Sequence, residues 1–177
     1  MIENKCNEWY SSERCTVRNL IEYIEKTGQM RDAQIEAIKV YLFLKIGCEC
    51  KPLEFLFRYG CFNSINLNDI ELSTATREYL EENPAATALF EYSRLTNDKG
   101  EQVSEKLEKQ IKKDPSSIDY DVFFRTAFYG VSYTDYLFSL PMGAGKTYLM
   151  AAFIYLDLYF APVSYTHLRA HETPEHL

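Results

Sequence analysis

The chain has 177 residues, 46% hydrophobic and 15% aromatic, with seven glycines and six prolines. It can bury a core, so collagen-like, low-complexity and disordered classes are excluded. Nineteen Lys and Arg against 26 Asp and Glu leave a formal charge of -7, which excludes nucleic-acid binding by bulk electrostatics but not through a local basic groove. The first nine residues lack the apolar run of a signal peptide, and no stretch approaches the roughly 18 apolar residues of a membrane span. A cytoplasmic protein with no membrane partner is expected.

In chain order, Val17, Leu20, Ile21 and Ile24 recur on one helical face, with Ser11 or Ser12 as the expected cap and Gly28 as the stop. A second helix is expected over 31–46, striped by Ile35, Ile38, Leu42 and Ile46. Pro52 opens a third over 53–59, which Gly60 closes. The five cysteines, Cys6, Cys15, Cys48, Cys50 and Cys61, are odd in number and clustered early, so they read as reduced thiols rather than a disulfide framework. Cys48-Glu49-Cys50 lacks the second pair or histidine that a zinc site needs.

Ser73 caps a helix running to Glu82, and Asn83-Pro84 opens another to Leu95. After a turn at Asn97-Asp98-Lys99-Gly100, a charged helix over 101–113 carries Val103, Leu107 and Ile111, with Glu105 placed to pair with Lys109. Asp114-Pro115-Ser116-Ser117 breaks the chain before an aromatic helix over 120–129. Beyond Gly130 the pattern changes. Tyr136-Leu137-Phe138-Ser139-Leu140 is a short, nearly continuous apolar run, expected as a buried parallel strand, and 147–160 is an almost wholly apolar helix.

Between them stands Pro141-Met142-Gly143-Ala144-Gly145-Lys146-Thr147. Glycines let backbone N–H groups approach phosphate oxygens, a helix N-terminus favours an anion, Lys146 reaches the β and γ phosphates, and the Thr147 hydroxyl suits Mg2+. The longer phosphate-loop pattern G-x-x-x-x-G-K-[ST] fails only at its first glycine, where Leu140 stands.

This segment resembles motif I of the superfamily 2 helicases. The string from Phe138 to Phe160 is similar to DEAD/DEAH-box helicase family proteins of bacteria related to type III restriction enzyme subunits. Met142 occupies a place that is often Thr in that family. Upstream, Arg31-Asp32-Ala33-Gln34-Ile35-Glu36-Ala37-Ile38 resembles the Arg-x-x-Gln-x-x-Ala-Ile element of these helicases, whose Gln reads the adenine edge. The resemblance therefore implies ATP and Mg2+ as cofactors and DNA as partner. Lys146 and Thr147 would be catalytic, Met142, Gly143, Ala144, Gly145, Lys146, Thr147 and Gln34 would bind nucleotide, and the Thr147 hydroxyl would hold the metal. Gln34 lies more than a hundred positions before Gly143, so much of the helical segment between them is expected as an insertion.

From Pro162 the chain abandons the preceding periodicity, and all three histidines, His167, His171 and His176, lie beyond that point. The segment resembles translated sequencing-adapter sequence, which would make 162–177 an artefactual tail and the chain a fragment cut near Ala161. The expected organisation is a mostly α N-terminal region over 1–130, then 131–161 as the first strand, phosphate loop and helix of a truncated α/β RecA-like domain. No Asp-Glu tetrad follows the loop, so the fragment is expected to bind ATP without completing hydrolysis, and its unpaired strand to promote aggregation. The competing readings are another P-loop enzyme such as a small kinase, and a helical interaction module.

Overall fold

The computed structural model describes residues 1–97, 99–130 and 136–169, with side chains as far as Ala161. It is mostly helical, in the order α1 (Ile2–Ser11), α2 (Arg18–Thr27), α3 (Asp32–Leu42), α4 (Leu53–Arg58), α5 (Thr74–Glu82), α6 (Pro84–Arg94), α7 (Glu105–Lys113), α8 (Tyr120–Ala127) and α9 (Lys146–Arg169). A π-helical turn, Phe43–Gly47, extends α3. Among the described residues no helix is long and apolar enough to cross a membrane.

Contacts divide the chain into two compact units. One comprises Met1–Thr16 and Val40–Leu137, and the other Val17–Lys39 and the chain from Phe138 onward. The expected boundary at 130/131 falls at residues 131–135, outside the described residues.

In the first unit α6 is the central element, packed by α4, α5, α7 and α8. Its Ala86, Ala88, Leu89 and Phe90 are fully buried and meet Leu80 of α5, Ile111 of α7 and Phe124 of α8. Phe57 stacks on Phe128 at 5.5 Å and on Phe124 at 6.2 Å, joining α4 to α8. The polar residues buried in this core, Thr76, Thr87, Glu91 and Ser93, are hydrogen-bonded, while the buried Oδ1 of Asn63 beside Pro84 has no partner among the described residues. Glu91 is buried and accepts from the Ser64 backbone N–H at 2.9 Å, the Ser64 hydroxyl at 2.6 Å and the Ile65 N–H at 3.1 Å, which offsets the cost of burying a carboxylate.

Several helix ends follow the sequence pattern. Ser73 accepts from the Thr76 N–H at 3.1 Å, Pro84 opens α6, and Gly60 closes the turn after α4 with φ +69°. Other ends differ. Residues 2–11 form a helix of their own, so neither Ser11 nor Ser12 caps α2, which starts after Val17 without a side-chain cap. Gly28 has an ordinary φ of -78°, and Gln29 takes the left-handed conformation at φ 47°. The charged helix starts at Glu105 rather than 101 because Ser104 caps it at the Leu107 N–H, while Gln102 pairs in a bridge with Thr96.

The expected α/β RecA-like architecture is not formed. Among the described residues there is no strand, and Tyr136 to Leu140 is irregular. The physical reason is pairing. A lone apolar run has no neighbouring strand to take its backbone hydrogen bonds, and one segment cannot make a sheet however well its side chains suit one. The helix expected after the loop is present, starting at Lys146 and continuing past Pro162 to Arg169. Residues 170–177 lie outside the described residues.

Candidate functional site

The second unit holds the glycine loop. Gly143 and Gly145 have φ of +80° and +77°, left-handed values that side-chain-bearing residues adopt only at a cost, which explains the glycines at these two positions. Ala144 between them is 7% exposed and turns inward, whereas Met142 is 99% exposed. The space where a Gly143 Cβ would sit is open, while a Cβ on Gly145 would come within 2.6 Å of Gln34 Nε2.

Two upstream residues hold this loop. Gln34 Nε2 donates to the Gly145 carbonyl at 2.9 Å across 111 sequence positions, and the Arg31 guanidinium donates to the Gly143 carbonyl. Gln34 is 3% exposed, and its Oε1 accepts from the Arg31 backbone N–H at 2.9 Å. That last bond is the reciprocal half of a capping box, with the amide at the third helical position reaching back to the residue before α3. One side chain thus finishes the start of α3 and pins the loop.

The start of α9 is left open in a particular way. The Gly145 carbonyl already accepts from the Tyr148 and Leu149 N–H groups, each at 3.1 Å, as the helix begins. Among the described residues, the backbone N–H groups of Gly143, Gly145, Lys146 and Thr147 find no hydrogen-bond acceptor. The first turn carries no acidic residue, and Lys146 stands at the positive end of the helix, where a cation is unfavourable until an anion joins it. Lys146 and Thr147 are both exposed. Free amides, a helix N-terminus, an ammonium and a hydroxyl therefore fall within the five residues Gly143 to Thr147, a donor set that fits phosphate oxygens and, through the hydroxyl, a hydrated divalent cation.

All the candidate residues, Gln34 included, lie in this unit. Arg31 is a loop contact outside that set, and its signal in the sequence is its place three residues before Gln34.

The first unit has a cleft of about 580 Å³ lined by residues that include Trp9, Phe43, Cys48, Lys51, Phe55 and Cys61. Burial, and then the neighbouring Cys61, push the Cys48 thiol up to about 11, so it stays protonated at neutral pH and is a poor nucleophile. All five cysteines are free, and among the described residues no group of three or more His, Cys, Asp or Glu is placed to hold a metal ion. The glycine loop therefore remains the better-furnished site. No family model, curated protein or solved structure matches the chain.

Proposed function

We propose that the loop from Gly143 to Thr147 binds the phosphates of ATP with Mg2+, and that the chain carries the nucleotide-binding part of an ATP-dependent DNA helicase or translocase. The observation that carries the nucleotide half is the set of unpartnered N–H groups at Gly143, Gly145, Lys146 and Thr147, beside an ammonium and a hydroxyl. Lys146 supplies charge to the terminal phosphates, and the Thr147 hydroxyl ligates the metal. When bound, Mg2+ would neutralise charge between phosphate oxygens. Gln34 and Arg31 hold the loop carbonyls and leave the loop amides for the ligand. The helicase half rests on the resemblance of two segments, Arg31 to Ile38 and Phe138 to Phe160, and implies DNA as the partner, in the cytoplasm.

Titration calorimetry of the full chain with Mg2+ and ATP tests the nucleotide half. Binding is expected, weakened about tenfold or more by Lys146→Ala, with no ATP turnover. Binding unchanged by Lys146→Ala sinks the reading of the loop, and turnover abolished by that substitution sinks the expectation of binding without hydrolysis. A DNA-binding titration, repeated at several salt concentrations, tests the partner.

A further inference from the structure

Beside the loop, the same unit has a second concavity, a cleft of about 330 Å³ between α2 and α9. Its walls are aliphatic and aromatic: Leu20, Tyr23 and Ile24 on α2, and Tyr148, Tyr155 and Leu156 on α9 are among its lining. Three tyrosines line it, and all three are more than half exposed, Tyr23 at 64%, Tyr148 at 53% and Tyr155 at 65%. Such exposure at three positions around one cavity of ligand-binding size calls for an occupant.

Its position says which. The two segments that pinch the loop run straight into its walls. On one side, Thr27, Gly28 and Met30 line the cleft, and the next residue is Arg31, which holds the Gly143 carbonyl. On the other, Tyr148 lines it directly after Lys146 and Thr147. The Tyr148 hydroxyl donates to the Gly28 carbonyl at 3.0 Å, fixing that ring across the end of the cleft next to the loop. From Tyr148 to Tyr155 the cleft follows α9 for about 10 Å, at 1.5 Å per residue. A ligand with an anionic end on the loop would thus place its other end among tyrosine rings.

Gln34 is not available for that second end. Its amide is 3% exposed, its Nε2 is engaged by the Gly145 carbonyl and its Oε1 by the Arg31 N–H. Reading a base edge with it would mean undoing the contacts that hold the loop.

We propose that the α2–α9 cleft is the base subsite of the nucleotide site, and that it takes an aromatic nucleobase by stacking on Tyr23 and Tyr155 rather than by edge recognition through Gln34. The inference rests on the phosphate-loop reading above and adds the nucleoside end. Stacking is indifferent to the hydrogen-bonding edge of the ring, because every base has a π face. The site therefore accepts adenine and guanine alike, and Gln34 acts as a positioning residue for the loop.

The test is calorimetric titration of the full chain with Mg2+ and, in turn, ATP, GTP and inorganic tripolyphosphate. ATP and GTP are expected to bind within about threefold of each other, and both about tenfold or more tighter than tripolyphosphate. Tyr23→Ala and Tyr155→Ala change exposed side chains, so the fold tolerates them. Each is expected to weaken ATP and GTP about fivefold and to leave tripolyphosphate unchanged. Gln34→Ala should weaken all three ligands together, because it releases the loop. Tripolyphosphate that binds as tightly as ATP and remains sensitive to Lys146→Ala overturns the base subsite and leaves the phosphate loop standing. So does a strong preference for ATP over GTP that Gln34→Ala removes. Failure of all three ligands to bind overturns the phosphate reading and this inference with it.

Discussion

Three helices of the first unit and the long helix α9 of the second treat their polar and apolar groups in opposite ways, although α1, α4 and α6 also start without a side-chain cap. In the first, α5, α7 and α8 have first-turn amides accepted by Ser73, Ser104 and Asp119, and a buried carboxylate has three donors. In the second, Gln34 finishes the start of α3, but α9 starts with free amides and a lysine. The apolar accounting runs in parallel. α6 buries Ala86, Ala88, Leu89 and Phe90 completely, whereas α9 buries Leu149 and Leu156 but leaves Met150, Ile154 and Leu158 more than half exposed. A helix whose polar and apolar needs are met internally is structural. One that leaves both its amides and an aromatic wall open has the chemistry of a binding element.

The sharpest way to break this contrast is to cut matched apolar residues from both units. Phe90→Ala empties a fully buried position in α6 and is expected to destabilise by about 4 kcal/mol in urea unfolding. Leu158→Gln on α9, at 66% exposure, is expected to stay within about 0.5 kcal/mol. Comparable losses would mean that the outer face of α9 is covered.

Next in size comes a pH effect confined to the first unit. Glu108 is partly buried, which alone would raise its pKa, but hydrogen bonds from Lys112 and Gln102 and the charges of Lys112 and Arg94 outweigh this and bring it to about 2 from an ordinary 4.5. A lowered carboxylate pKa stabilises the fold above the unfolded value and loses that contribution as pH falls from about 4.5 towards 2. The loss is on the order of 2 kcal/mol. Glu108→Gln should remove most of that acid dependence, and a variant that keeps the full slope between pH 5 and 2 would assign it elsewhere.

The smallest effects concern helix ends. Ser104→Ala removes the acceptor of the Leu107 N–H and is expected to cost about 1 kcal/mol. Thr147→Ala, whose hydroxyl accepts from no amide in α9, is expected to change stability by less than about 0.5 kcal/mol while weakening Mg2+-ATP. An equal stability cost at both positions would make Thr147 a structural residue.

Much of this was legible in the residues. Ser73, Pro84 and Gly60 mark ends that the structure keeps, because caps and left-handed turns are decided within a few residues. The glycines at 143 and 145 marked a turn, and the structure gives both a positive φ. The apolar run at 136–140 misled, because a strand is a property of the pairing between segments and its residues describe only one side of the pair. The helix over 2–11 carries no comparable signal: its buried positions, Cys6 and Trp9, make too short an apolar stripe to stand out.

The sequence by itself determined the helices with strong stripes and caps, the glycine loop and the order of donors at Lys146 and Thr147, all of which depend on short-range sterics and hydrogen bonding. Tertiary structure alone decided that the amide of Gln34 would close on Gly145 across 111 positions, that Arg31 would hold Gly143, and that three tyrosines from α2 and α9 would line one cleft. Those are meetings between distant segments, fixed by which apolar faces bury against each other, and no local pattern encodes the partner.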